Sequence, residues 1–263
     1  EDLPFFSDLM SSLNKANFKC PAPILNNKNR TITEFNGKKL MIVSFLEGKA
    51  KQNLSPANCK SVGIEVAKMH EITKEFKLKR QNDLSVKSWR SLFNSIKDKS
   101  SNIHKDLPKL IEENLSDVEK KWPSNLPKGI IHADLFHDNI FFKEENLNGI
   151  IDFYFSCEDF FAFEIAICFN ALCFDGSKDN LSFNVTKAKN FIDGYTSVRN
   201  LTDQEKNNIK ILSQGAALRF LLTRMFDELN KIEGAVVKVK DPMEYLKRLE
   251  FHKNSKNYED YFF

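Results

Sequence analysis

The sequence predicts an α+β chain of two lobes, a small one carrying a β-hairpin and a large one that is mostly helical. Three features predict it. An Asn-Gly turn near the start joins two strand-like runs, helical periodicity dominates on both sides of the middle, and three short apolar runs alternate with polar loops between residues 129 and 151. At 263 residues the chain has the size at which a single hydrophobic core stops growing and chains divide.

The elements follow in order. Leu3, Phe5, Phe6, Leu9, Met10 and Leu13 put apolar side chains on one face of an opening helix, and Pro21 and Pro23 end that unit. Residues 31–35 and 39–43 read as a β-hairpin, because Asn36-Gly37 supplies the positive φ angles that a tight turn needs. Ser44 to Gly48 leave the second strand for a polar stretch, which makes Phe45 to Gly48 a candidate hinge. The expected lobes are therefore 1–47 and 48–263. Ser55-Pro56 caps a helix reaching to about His70, and further helical patterns cover about 85–97 and 105–122. The runs Gly129-Ile130-Ile131, Asn139 to Phe142 and Leu147 to Ile151 are short strands with loops between them. Helical patterns return over 160–174, 183–198, 204–229 and 242–251.

Composition narrows the class. The chain is 41% hydrophobic and 29% charged, and no apolar run approaches the ~20 residues that span a bilayer. With no basic leader followed by an apolar stretch, the expected compartment is the cytoplasm. Five cysteines without a CxxC pair suggest neither a disulfide framework nor a zinc knuckle. The net charge of +3 is spread along the sequence, so no basic patch marks a nucleic-acid partner. The 24 Phe residues fall within periodic segments and are expected to fill the core. His70 reads as structural, and His104 and His252 read as surface residues.

The chemistry concentrates in His132-Ala133-Asp134-Leu135-Phe136-His137-Asp138-Asn139. An acid five residues before an amide, in a loop between strands, suits phosphoryl transfer. The Asp134 carboxylate can orient the hydroxyl of an attacking alcohol, and the Asn139 carbonyl oxygen is a hard neutral ligand for Mg²⁺. Asp152, at the end of the next strand, offers a second metal oxygen, and the ion implies a nucleotide phosphate such as that of ATP. The spacing alone is weakly specific; its placement between strand signals strengthens it. His137 either touches substrate or bonds locally beside Asp138. Arg219 and Arg224 interrupt an apolar helix, where an unpaired charge is costly. They meet either an internal acid such as Asp227 or the carboxylate of a substrate, for which the planar guanidinium is well shaped.

This arrangement resembles the catalytic segment of the aminoglycoside-phosphotransferase-like kinases, a protein-kinase-like superfamily whose loop reads H-x-D-x-x-x-x-N, then a metal Asp, then G-D-P-x-x-D-L-A. The run from His132 to Phe174, with Phe153-Tyr154-Phe155 and Cys157-Glu158-Asp159, and Ala217-Leu218-Arg219-Phe220-Leu221 are similar to the bacterial homoserine kinases of this fold. The resemblance implies ATP and Mg²⁺ as cofactors, Asp134 as catalytic base, His132 as a loop-ordering residue, and Asn139 and Asp152 as metal ligands. It places Asp159 in the acidic element and gives Glu164, where the family usually has Asp, the task of fixing the catalytic loop. It implies that Ser44, Phe45 and Leu46 border the adenine. It also implies early nucleotide-covering strands that precede the first helix of this chain, so residues 1–47 would be part of a nucleotide-binding lobe. The expected reaction is ATP-dependent phosphorylation of the side-chain hydroxyl of homoserine, with a small molecule as the partner. The alternatives are a kinase for another alcohol, of choline or aminoglycoside type, and a non-catalytic fragment of such a kinase.

Overall fold

The computed structural model describes residues 2–176, 180–231, 239–256 and 258–261. Helix α1 (Leu3–Lys15) carries Pro4 in its first turn, where a missing N–H is tolerated, and buries Phe5, Phe6, Leu9, Met10 and Leu13. Strands β1 (Ile32–Phe35) and β2 (Lys38–Met41) pair with Phe35 opposite Lys38, and Asn36 and Gly37 between them take φ of 50° and 73°. The hairpin expected from the sequence is therefore present with the two-residue turn its residues dictate. The short strand β3 (Lys49–Ala50) follows, and then α2 (Pro56–Ile72), opened by a capping box between Ser55 and Asn58.

Helices α3 (Val86–Ser100) and α4 (Leu107–Lys121) precede the strands β4 (Lys128–Ile131), β5 (Ile140–Lys143), β6 (Asn146–Ile150) and β7 (Cys157–Phe160). Strand β7 runs directly into α5 (Phe161–Leu172); the small strands β8 (Phe174–Asp175) and β9 (Ser182–Phe183) lead to α6 (Val185–Thr196). The 27-residue α7 (Asp203–Leu229), capped by Thr202 and Glu205, and α8 (Met243–Asn254) complete the order. Strands β3, β5 and β6 form one antiparallel sheet, and β4 pairs with β7 so that Ile131 lies opposite Cys157. The sequence pattern misses β3, β7, β8 and β9, which are too short or too polar to carry an alternation of their own, and it assigns Phe174 and Phe183 to the neighbouring helices.

Every residue of α5 is buried, because the helix separates two apolar clusters. Ile165, Cys168, Phe169 and Leu172 pack toward α1, α2 and α6, while Ala162, Phe163, Ala166 and Ile167 pack toward α3, α4, α7 and α8. The α2 and α6 backbones approach closely: a Cβ at Gly63 would lie 2.0 Å from the Phe191 carbonyl oxygen, and one at Gly194 would lie 2.1 Å from that of Lys60. Most Phe residues fill these cores, as expected, but Phe45 is 86% exposed. His252 overturns its surface assignment. It is fully buried, 3.1 Å from Asn170 Oδ1 and 3.0 Å from the Tyr261 hydroxyl, because Leu249 and Tyr245 share its face of α8. Among the described residues no helix is long and apolar enough to cross a membrane.

Candidate active site

The candidate catalytic loop hangs between β4 and β5. Its first turn is held from α5 by Glu164, whose Oε2 accepts the backbone N–H groups of His132 and of Ala133, the latter at 3.1 Å. Ala133 needs that support, since its φ of 65° is a left-handed conformation that costs an ordinary residue about 1 kcal/mol or more. Arg219, reaching in from α7, donates to the Ala133 carbonyl at 2.5 Å. Burial pushes the Glu164 carboxyl up to about 7, against the two N–H bonds and the Arg219 charge that favour its ionised form.

His132 is fully buried and joins the loop to the strand that ends at Asp152. Its Nε2 lies 2.8 Å from the Ile151 carbonyl oxygen, and its Nδ1 accepts the Asp134 N–H at 3.3 Å. Burial lowers its pKa to about 4, so the ring is neutral with the proton on Nε2. Asn139 closes the loop: its Nδ2 donates to the Asp134 carbonyl at 2.8 Å, which leaves Oδ1 to bind something else.

The Asp134 carboxylate has no hydrogen-bond partner among the described residues. Burial raises its pKa to about 6, opposed by Arg219 and assisted by Asp152. Asp152 sits at φ 64° and ψ 60°, a left-handed conformation that Asp adopts more readily than most residues. Both carboxylates line a cleft of about 370 Å³ together with Asn139, Phe136, Asp138, Phe155, Arg219, Thr223, Arg224, Asp227 and Lys240. The structure thus brings Asp134, Asn139, Asp152, Arg219 and Arg224 to one cavity, with His132 and Glu164 behind it.

Other candidates lie elsewhere. His137 is not among the cleft-lining residues, and burial with the nearby charges of Lys187 and Arg248 lowers its pKa to about 4. Asp159 accepts from Asn82 at 2.7 Å and from the Phe160 N–H at 2.7 Å, bracing β7. Ser44 is pinned to Ala22 by two hydrogen bonds of 2.8 and 2.9 Å, and Leu46 lies over Gly149 of β6. The partner of Arg224 is Glu244, at 3.0 Å, and not Asp227. Sequence reasoning missed Lys240, which pairs with Asp138 at 2.9 Å and lies 5.0 Å from the centre of the Phe136 ring. It also missed Thr223, which stands between Arg219 and Asp227 at a spacing of four on one helical face of the cleft.

Among the described residues no three His, Cys, Asp or Glu side chains form a metal cage. The donor set that is present, one free amide oxygen and one carboxylate, suits Mg²⁺, which takes one or two protein oxygens and fills its shell with phosphate and water. An unpaired carboxylate, a free amide oxygen and a second carboxylate at one cleft are the groups a small-molecule phosphotransferase requires. The chain belongs to the phosphotransferase enzyme family, whose sequence model matches residues 1–199. Homoserine kinases are among its relatives. That of Rhodopseudomonas palustris is 44% identical over 262 residues, covering 99% of this chain and 79% of the relative. That of Brucella anthropi is 42% identical over 261 residues, with the same coverage. An amicoumacin kinase solved with AMP-PNP and Ca²⁺ superposes with a TM-score of 0.67 at 11% identity, over 96% of this chain and 77% of that one, and supports the fold alone.

Proposed function

We propose that the chain transfers the γ-phosphate of ATP to the side-chain hydroxyl of L-homoserine. The observation that carries this is the 41–44% identity to homoserine kinases along nearly the whole chain, joined to a cleft whose free carboxylate stands beside two arginines. Asp134 accepts the hydroxyl hydrogen bond and orients the oxygen for in-line attack; its own orientation is set by His132, Asn139 and the Glu164-held turn. Mg²⁺ held by Asn139 and Asp152 would neutralise charge on the nucleotide phosphates. Adenine would lie along Ser44 to Leu46, where the exposed Phe45 ring offers an apolar face for stacking. Residues 1–47 would thus belong to the nucleotide-binding lobe and 48–263 to the lobe that holds the acceptor. Five free, buried cysteines accord with a reducing compartment such as the cytoplasm.

The test is ADP release with a panel of L-homoserine, choline and aminoglycosides. The expected result is the highest kcat/KM with L-homoserine; an equal or higher value with another alcohol overturns the assignment.

A further inference from the structure

Four acids line the cleft, Asp134, Asp138, Asp152 and Asp227, and among the described residues only Asp138 has an ion pair there. Arg219 is the cation nearest in effect to Asp134, Lys240 pairs with Asp138, and Arg224 pairs with Glu244. Asp152 is the proposed metal ligand. Asp227 lines the same cleft and, like Asp134 and Asp152, receives no hydrogen bond or ion pair at its carboxylate among the described residues, but unlike them it has no task in the transfer proposed above. Partial burial raises its pKa, with no cation opposing that rise. Arg224, one turn earlier on α7, uses only one terminal nitrogen in its bonds to Asp241 and Glu244, leaving the rest of its fork free.

We infer that Asp227 binds the α-ammonium group of the amino-acid substrate while Arg224 takes its α-carboxylate, an assignment that rests on the homoserine activity proposed above. The dimensions agree. Side chains three apart on a helix stand about 5–6 Å from one another at Cβ, room for two groups carried on a single carbon. Extended homoserine spans about 5 Å from hydroxyl oxygen to amino nitrogen at bond lengths of about 1.5 Å. A hydrogen bond of about 2.9 Å at each end brings the total to about 11 Å. Asp134 and Asp227 line one cleft of about 370 Å³, which has room for such a molecule.

The experiment compares L-homoserine with 4-hydroxybutanoate, which keeps hydroxyl and carboxylate and lacks the ammonium. Asp227 is solvent-exposed and takes part in no described bond, so Asp227→Asn should fold as the parent does, as a melting curve verifies. The expected result is a KM for L-homoserine raised about 10- to 100-fold, the worth of a charged hydrogen bond, with kcat and the KM for 4-hydroxybutanoate within about threefold, below the tenfold that corresponds to 1.4 kcal/mol. An unchanged KM for L-homoserine, or an equal rise with both substrates, overturns the role of Asp227 while leaving the homoserine kinase activity standing. Failure of the unmutated protein to phosphorylate L-homoserine overturns that activity, and this assignment with it.

Discussion

The Nε2–H of His132 donates to the Ile151 carbonyl at 2.8 Å. This one bond ties the residue two before Asp134, the proposed base, to the residue just before Asp152. The same ring accepts the Asp134 N–H and meets the edge of Phe153 at 4.9 Å between ring centres. A neutral imidazole is what both contacts require, one donor and one acceptor, and burial keeps it neutral. The proposed base and the proposed metal ligand are therefore set in register by a side chain that lies behind the cleft.

Replacing that ring should uncouple the two. His132→Ala removes two hydrogen bonds and opens a buried cavity, so unfolding by urea should show a loss of about 2–4 kcal/mol. Turnover of the folded fraction should fall about 100-fold, the usual consequence of a misplacement near 1 Å. A kcat close to that of the parent would mean that Glu164 and Arg219 suffice to hold the loop.

Asp134 itself is the residue whose loss should affect rate and little else. Asp134→Asn keeps the shape and the backbone bonds to His132 and Asn139, so the melting temperature should stay near that of the parent. The rate should drop by about 10²- to 10⁴-fold, as for removal of a general base, with the KM for ATP nearly constant.

Asp152→Asn tests the metal assignment. The half-saturating Mg²⁺ concentration should rise at least about tenfold, the lower end of what even the outer partners of a metal ligand cost. Asn139→Asp separates two roles of one side chain. It retains an oxygen ligand but sets an acceptor against the Asp134 carbonyl in place of the present 2.8 Å donation, so kcat should fall even at saturating Mg²⁺.

What was legible in the sequence was local. The Asn36-Gly37 turn and the Ser55 cap act within four residues, and the His132 to Asn139 loop is contiguous, so spacing alone exposed them. Long-range partners were not legible. Strand β7 is polar at Glu158 and Asp159, and it is a strand because β4, which ends 26 residues earlier, pairs with it. Arg224 finds its acid on α8, 20 residues away in sequence, instead of the Asp227 next to it on its own helix. His252 was readable in part, since it continues the buried stripe of Tyr245 and Leu249 on α8; its charged neighbours Lys253 and Glu250 masked that stripe.

His252 gives the stability of the fold a pH dependence with a definite sign. Burial holds its pKa at about 3, where an unfolded histidine has about 6.5. Its folded pKa is therefore depressed, and between pH 6.5 and 3 the unfolded chain binds the extra proton, so stability falls as pH falls through that window. From pH 6.5 down to 5 one such group costs about 2 kcal/mol. His252→Gln has no ring to protonate. It should be less stable than the parent at pH 7.5, having lost the paired bonds to Asn170 and Tyr261, and its stability should decline less steeply toward pH 5. Urea unfolding at four pH values measures both slopes, and parallel curves would show that His252 does not contribute to acid sensitivity.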